Sequence, residues 1–234
     1  MRVLVTRALE DAEETARQLT QRGHHGLVAP LLTVRFLDGP EIALGDVQAI
    51  LATSANGVRA LARRSPRRDV ALFAVGPQTA SAAERLGFQK VKSADGDVDA
   101  LALAAARWAK PGKGALLHVA GLHVAGGGND GKLVQNLPGF TVRREILYAV
   151  TSVEKMPEAA ARALRAGQLD AALFYSPRSA SVFRDCARKE DLPLENLFAA
   201  CISPATAAAL SPLSFRAVRA AVRPNQAALL ELLD

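Results

Sequence analysis

Cysteine, aromatic residues and long apolar runs are all scarce in this sequence of 234 residues. The two cysteines, Cys186 and Cys201, lack the paired CxxC spacing, which argues against a disulfide framework and against a zinc ribbon. No apolar run approaches the roughly 18 residues that span a bilayer. The N-terminus turns polar within a few residues, so we expect neither a signal peptide nor a membrane segment. These absences favour a cytoplasmic globular protein.

Familiar catalytic signatures are scarce as well. The four histidines show no HExxH spacing, and no GxSxG motif occurs. The two tyrosines, Tyr148 and Tyr175, each lie near the end of an apolar run, where a tyrosine usually packs but can also donate a proton. We therefore expect neither a metal nor a cofactor.

A glycine-rich segment, residues 126–133 (GGGNDGKL), matches two nucleotide-binding motifs in part. Leu133 stands where a P-loop needs Ser or Thr to bind Mg²⁺. Several residues also separate the glycines from the predicted strand end near Val119, whereas a dinucleotide fingerprint has them directly in the turn. The segment is better interpreted as a flexible loop than as either nucleotide site.

Positive charge is in excess, with a net charge of +6 and a pI near 9.7, which suggests a polyanionic partner. The arginines are scattered, however, and the aromatic residues number only 8 Phe, 2 Tyr and 1 Trp. No nucleic-acid recognition module is present, so a small polycarboxylate fits at least as well as a nucleic acid. The arginine run over residues 63–68 is best explained as a solvated surface.

Short β-branched and leucine-rich runs alternate with alanine-rich stretches, a pattern typical of βαβ units that form a parallel sheet. The predicted strands are residues 3–6, 27–34, 49–53, 72–75, 115–119, 142–150, 171–175 and 198–202. Helices are predicted between them. The helices predicted over residues 11–22 and 79–86 both end at a glycine, which is a common stop signal.

The second half of the sequence repeats the first, motif by motif and in the same order. The paired segments are 3–6 (VLVT) with 116–119 (LLHV), Gly23 with Gly139, 50–55 (ILATSA) with 172–177 (ALFYSP), and 74–80 (AVGPQTA) with 201–207 (CISPATA). Such pairs in register predict two similar α/β domains with a cleft between them.

Most of the repeated segments end a strand and lead into a helix, where free backbone N–H groups favour anions. The turns are residues 53–57 (TSANG), 76–79 (GPQT), 176–179 (SPRS) and 203–206 (SPAT). Any one of them is explained more simply as an ordinary helix cap. Their recurrence at equivalent positions nevertheless favours a site for several carboxylates.

The order of the motifs VLVTR, TSANGV, VGPQTA, FYSPRSA and SPATA resembles the uroporphyrinogen-III synthase family over nearly the whole chain. The resemblance implies two flavodoxin-like domains, each a doubly wound parallel α/β sheet, linked by crossover strands near residues 35–39 and 150–153. One domain would consist of residues 1–36 and 152–234, and the other of residues 37–151.

The resemblance also implies an activity. In that family hydroxymethylbilane, a linear tetrapyrrole with eight carboxylates, loses water and closes to uroporphyrinogen III while ring D is inverted through a spiro intermediate. The implied partner is this substrate alone, with no nucleic acid and no membrane, and the implied enzyme is a cofactor-free monomer. The alternatives are an inactive paralogue or a two-domain binding module for a polycarboxylate ligand.

By position, the resemblance implies that Tyr148 is the catalytic residue, which assists departure of the hydroxyl group. The implied substrate-binding residues are Arg7, Thr53, Ser54, Asn56, Gly76, Gln78, Thr79, Ser176, Ser179, Ser203 and Thr206. The sequence departs from the family where Ser203 replaces the usual glycine and where Tyr175 replaces a small hydroxyl residue. In the glycine-rich region, Lys132 is the nearest basic candidate.

Overall fold

The computed structural model describes residues 1–123, 133 and 135–234 of the chain. It divides the chain into two units: unit 1 consists of Met1–Thr33 and Thr151–Asp234, and unit 2 consists of Val34–Val150. Most of the glycine-rich segment that we expect to form a loop, including Lys132, lies outside the described residues.

The secondary structure alternates strands and helices. In chain order the strands are β1 (Arg2–Val5), β2 (His25–Val28), β3 (Leu32–Phe36), β4 (Val47–Ala52), β5 (Ala71–Ala74), β6 (Val91–Ser93), β7 (Ala115–His123), β8 (Val142–Ser152), β9 (Ala171–Phe174), β10 (Phe198–Cys201) and β11 (Ala217–Ala220). The helices include α1 (Leu9–Gln21), α2 (Ala55–Arg64), α3 (Pro77–Arg85), α4 (Val98–Trp108), α5 (Glu158–Arg165), α6 (Pro177–Lys189), α7 (Pro204–Ala208) and α8 (Gln226–Leu230).

Each unit contains one sheet. The order is β11-β10-β9-β1-β2 in unit 1 and β3-β8-β7-β4-β5-β6 in unit 2. The pairings of β1, β2 and β9 to β11 are all parallel, as are those of β4 to β8. The repeated segments hold equivalent places, because β1, β9 and β10 follow one another as β7, β4 and β5 do. The predicted fold of two flavodoxin-like parallel-sheet domains is confirmed.

Alternating side chains on the central strands build a core on each face of the sheet, as the burial of parallel sheets requires. In unit 1, Val3 and Val5 pack in one cluster with Leu19 of α1. The intervening Leu4 packs in the other cluster with Phe183 of α6. Helices therefore cover both faces of this sheet and leave its strand ends as the place where polar turns can meet a ligand.

The prediction of one strand over residues 27–34 is wrong. The chain forms two strands there, and β2 joins the sheet of unit 1 whereas β3 joins that of unit 2. Pro30 lies between them and has no N–H to continue a ladder. Two edge strands, β6 and β11, were missed because both are short and carry a charged residue, Lys92 or Arg219.

Both connections between the units run through strands. β3 passes from unit 1 into unit 2 between Thr33 and Val34, and β8 returns to unit 1 between Val150 and Thr151. The domain boundaries expected from the sequence, after residue 36 and after residue 151, lie at the end of β3 and within β8.

The arginine run at the end of α2 does more than solvate a surface. Arg64 donates hydrogen bonds to the carbonyl oxygens of Pro40 at 2.8 Å and Leu37 at 3.3 Å. Arg68 donates to the carbonyl oxygen of Leu86 at 2.8 Å. These bonds tie the C-terminal end of the helix to neighbouring loops, so the run is partly structural and less available to a polyanion than the sequence suggested.

Candidate active site

The turns predicted to bind a ligand follow neighbouring parallel strands. In unit 2, Ala52 of β4 pairs with Val119 of β7 and with Ala74 of β5, so the turns after β4 and β5 open at the same sheet edge. In unit 1, Phe174 of β9 pairs with Cys201 of β10, which places the next two turns side by side. Each sheet therefore presents adjacent helix N-termini at its carboxyl edge, the usual position for ligands in such sheets.

In unit 2, Ser54 caps α2 and also contacts Tyr148. The Ser54 backbone is extended, with φ −156° and ψ 155°, and its Oγ accepts the N–H of Gly57 at 3.2 Å. The hydroxyl oxygen of Tyr148, on β8, lies 2.8 Å from the same Oγ. Tyr148 is only 4% exposed, so its ring is fixed by packing. Two predicted site residues that are 94 positions apart thus share a hydrogen bond.

The other residues of this turn mainly face protein atoms. Asn56 accepts a hydrogen bond from Arg59 at 2.8 Å through its side-chain oxygen. A Cβ on Gly57 would lie 2.7 Å from the carbonyl oxygen of Val119, so the glycine allows α2 to pack closely on β7. Thr53 is half-buried at the end of β4. The hydrogen bond between Ser54 and Tyr148 is therefore the chemically notable contact of the turn.

The next turn of unit 2 starts α3 without a side-chain cap. Gly76 is extended, with φ −161° and ψ 177°, and Pro77 is the first helical residue. A Cβ on Gly76 would meet only the carbonyl oxygen of Gly96, at 3.9 Å, so the space beside it is open. Gln78 is exposed, whereas Thr79 is 5% exposed. Gln78 therefore presents its amide at the surface, whereas the Thr79 hydroxyl lies inside the turn.

The two turns of unit 1 have matching, self-contained caps. Ser176 Oγ accepts the N–H of Ser179 at 3.1 Å and lies 3.1 Å from its hydroxyl oxygen. Ser203 Oγ accepts the N–H of Thr206 at 3.3 Å and lies 3.0 Å from its hydroxyl oxygen. Ser179 and Thr206 are buried. The hydroxyls of Ser176 and Ser203 are half-buried and thus the more exposed of the four.

Arg7, in the first turn of unit 1, is buried among protein partners. One guanidinium nitrogen lies 3.0 Å from the Asp11 carboxylate, and another donates to the Gln226 side chain at 2.7 Å. The guanidinium carbon lies 4.2 Å from the centre of the Tyr175 ring, a cation–π distance. Because Arg7 is 8% exposed, a substrate carboxylate would compete with Asp11 for it.

Tyr175 packs beneath Arg7. Its hydroxyl oxygen is buried close to the side chains of Thr15 and Arg7, but it makes no hydrogen bond of good geometry with the residues that the structure describes. Burial raises the pKa of Tyr175, and the Thr15 hydroxyl and the Arg7 charge oppose that effect. The phenol is therefore protonated at neutral pH and behaves mainly as a packed ring.

Sequence reasoning missed Asp11 and Gln226 beside Arg7, and Gly121 beside Tyr148. Asp11 stands four residues after Arg7, a spacing that could have indicated the ion pair. Gln226 lies 219 positions from Arg7, and nothing in the sequence links them. Gly121 was missed because β7 was expected to end at residue 119, whereas it continues to His123.

A known protein family matches almost the whole chain. The family model of uroporphyrinogen-III synthase HemD matches residues 13–231. The chain belongs to the uroporphyrinogen-III synthase family. The synthase is accordingly a cyclising lyase of tetrapyrrole biosynthesis that acts on a small tetrapyrrole substrate. A search of curated protein sequences found no match to the chain.

The fold of the synthase is similar to that of two solved structures. The uroporphyrinogen-III synthetase from Helicobacter pylori is 18% identical with a TM-score of 0.64, and the alignment covers 100% of this chain and 98% of that chain. A mutant uroporphyrinogen III synthase from the extremely thermophilic bacterium Thermus thermophilus is 17% identical with a TM-score of 0.52, covering 100% of this chain and 97% of that chain. At these identities the likeness concerns the fold.

Within residues 1–123, 133 and 135–234, no three His, Cys, Asp or Glu side chains form a group that could hold a metal ion. Over the same ranges, no helix is long and apolar enough to cross a membrane.

Proposed function

We propose that Tyr148 is the one side chain of the synthase that takes part directly in the chemical step. The family reaction cyclises hydroxymethylbilane to uroporphyrinogen III, with loss of water and inversion of ring D. The hydroxyl group of the bilane departs readily, so the enzyme must mainly hold the substrate in the geometry that inverts ring D. One well-placed proton donor is then enough for the bond cleavage.

The hydrogen bond between Tyr148 and Ser54 is the observation that carries this proposal. The phenol donates its proton to the departing hydroxyl oxygen, the carbon–oxygen bond breaks and water leaves. The Ser54 hydroxyl can donate to the phenol oxygen as negative charge develops there, while its own oxygen still accepts the N–H of Gly57. The proton released from the pyrrole after ring closure restores the phenol.

The carboxylates of the bilane are proposed to bind at the helix N-termini that follow the sheet strands. Backbone N–H groups and the positive end of each helix dipole favour negative charge there. The proposed binding residues are Arg7, Thr53, Ser54, Asn56, Gly76, Gln78, Thr79, Ser176, Ser179, Ser203 and Thr206. Arg7 would take part by exchanging Asp11 for a substrate carboxylate. The net charge of +6 suits such a substrate.

The proposed enzyme is a cytoplasmic monomer with no nucleic-acid partner, and these properties stay predictions from the sequence. The buried, unpaired thiols of Cys186 and Cys201 suit a reducing compartment. Arg64 and Arg68 donate hydrogen bonds to backbone carbonyl oxygens, which makes them less available to nucleic acid.

Isomer analysis of the product tests the proposed function. Hydroxymethylbilane would be generated enzymatically, left with or without this protein, and the resulting porphyrins separated by isomer. We expect the type III isomer with the protein and the type I isomer without it. Binding of the bilane with no change in the isomer ratio would instead identify an inactive paralogue or a binding module.

A further inference from the structure

Gly121 lies against the ring of Tyr148. The two residues are register partners on the neighbouring parallel strands β7 and β8. A Cβ built on Gly121 would lie 2.5 Å from the Cε2 and Cζ atoms of the Tyr148 ring and 2.9 Å from its hydroxyl oxygen. Carbon atoms in proteins pack at about 3.5–4.0 Å. Any side chain at position 121 would therefore have to displace the ring.

An irregularity in β8 places Tyr148 beside Gly121. The register steps from Ala120 opposite Ile146 to Gly121 opposite Tyr148, which leaves Leu147 as the extra residue of a bulge. In an unbroken register Gly121 would pair with Leu147, and Tyr148 would point to the other side of the sheet because successive side chains alternate. The bulge thus aims the tyrosine over the glycine.

The route across Gly121 leads to Ser54. β7 lies between β8 and β4 in the sheet, and Ser54 follows β4. Neighbouring strands are about 4.8 Å apart, so the contact between Tyr148 and Ser54 bridges roughly 10 Å of sheet. The ring crosses β7 at a residue with no side chain and then places its hydroxyl 2.8 Å from Ser54 Oγ.

We propose that Gly121 is a positioning residue of the synthase reaction: with the bulge at Leu147, it keeps open the path by which the Tyr148 phenol reaches Ser54. The inference rests on the chemical role proposed for Tyr148. Its geometric part can be measured separately from activity, so failure of one does not conceal failure of the other.

Kinetics of Gly121→Ala test the reaction part. We expect kcat to fall by about ten- to a thousandfold, as for loss of the phenol itself, because the added methyl group moves the ring away from Ser54. Gly45→Ala is the matched control, since a Cβ there meets no atom within 4 Å, and it should leave kcat unchanged. In a Tyr148→Ala background the ring is gone, so Gly121→Ala should have no further effect. A further loss in that background would overturn the inference.

Tyrosine NMR tests the geometric part, because the chain has only two tyrosines. In ring-labelled protein, Gly121→Ala should move the resonances of Tyr148, assigned with Tyr148→Phe, and leave those of Tyr175 in place. A folded Gly121→Ala protein with unmoved Tyr148 resonances would overturn the inference. If the variant does not fold, the wild-type protein still provides a test. The α protons of Gly121 should show nuclear Overhauser contacts to the Tyr148 ring. Their absence would also overturn it.

Full activity of Tyr148→Phe would separate the two proposals. The chemical role of Tyr148 would then be wrong, and with it the catalytic importance of Gly121. The NMR contacts would still decide whether the glycine positions the ring.

Discussion

Two serines hold equivalent positions in the repeated halves of the synthase, yet their neighbours differ. Ser54 in unit 2 and Ser176 in unit 1 both follow a central strand and cap the next helix. Ser54 Oγ also lies 2.8 Å from the hydroxyl of Tyr148. Ser176 Oγ instead lies 3.1 Å from the hydroxyl of Ser179, in its own helix. The capping serine therefore bonds to a residue distant in the sequence in unit 2, and to a residue of its own helix in unit 1.

The two tyrosines show the same contrast. Tyr148 reaches its partner across a neighbouring strand, whereas Tyr175 lies under Arg7 with its hydroxyl buried near Thr15. The tyrosines hold different places in the repeat: Tyr148 lies on β8 opposite Gly121, whereas Tyr175 follows β9 at the position that Thr53 holds in unit 2. The repeat thus provides two similar scaffolds. In the proposed mechanism unit 2 carries the chemical step, whereas unit 1 contributes to binding alone.

The largest expected effect separates the two tyrosines. Tyr148→Phe should lower kcat by about ten- to a thousandfold, because it removes the proposed proton donor. Tyr175→Phe keeps the ring under Arg7 and removes a buried hydroxyl without a hydrogen bond of good geometry, so kcat should stay near wild type and stability should change by less than about 1 kcal/mol. Steady-state kinetics on both variants measure this. Equal losses of kcat would erase the contrast between the units.

Arg7→Ala should destabilise unit 1 by about 1–3 kcal/mol, because it leaves Asp11 and Gln226 without a buried charged partner. Arg17→Ala is the control, because Arg17 lies in α1 of the same unit but forms an exposed pair with Glu14. It should cost less than about 1 kcal/mol. Denaturant unfolding of both variants measures the difference. If Arg7→Ala left stability unchanged, the buried contacts of Arg7 would not support the fold, and binding of the bilane would be its only role.

The cap of α6 should contribute modestly to both stability and binding. Ser176→Ala should cost on the order of 1 kcal/mol in each, since it removes one cap and one contact to the bilane. Ser176→Asn keeps a capping oxygen and should restore stability. The same loss in binding is expected of Thr79→Ala. A more than hundredfold loss of affinity in either alanine variant would show that a catalytic group had been taken for a cap.

The smallest expected effect is a loss of stability at alkaline pH, and it arises in unit 1. Burial raises the pKa of Cys201 to about 12 and also raises the pKa of Cys186 and of Tyr175. The unfolded thiol ionises from about pH 8.5 while the folded one keeps its proton, so stability falls as the pH rises. Between pH 8 and 9.5, Cys201 should account for a loss of about 1 kcal/mol.

Cys201→Ala supplies the control for that prediction. Its unfolding free energy should depend less steeply on pH than that of the wild type, whatever the substitution costs at pH 7. Hydrogen exchange should show the alkaline opening first in unit 1. An identical pH slope in the variant would mean that the Cys201 thiol is not protected from ionisation.

The repeat and the turns after β4, β5, β9 and β10 could be predicted from the sequence, because short runs of neighbouring residues mark them. Apolar runs marked the central strands, and Ser or Gly followed by Pro or Asn marked where helices begin. The sequence could not predict that Pro30 separates strands of different sheets, nor that Gln226 joins Arg7 across 219 positions. The register step at Leu147 could not be predicted either, since it depends on how β7 and β8 pair.

The isomer made by Tyr148→Phe tests the central claim most directly, namely that the chemistry resides in the phenol and the geometry in the turns of both units. Enzyme in excess over enzymatically generated hydroxymethylbilane keeps the uncatalysed reaction small, and the porphyrin product is separated by isomer. We predict slow formation of the type III isomer, because ring D is held by groups other than this oxygen. Catalysed formation of the type I isomer would contradict the claim, since Tyr148 would then be holding the substrate fold.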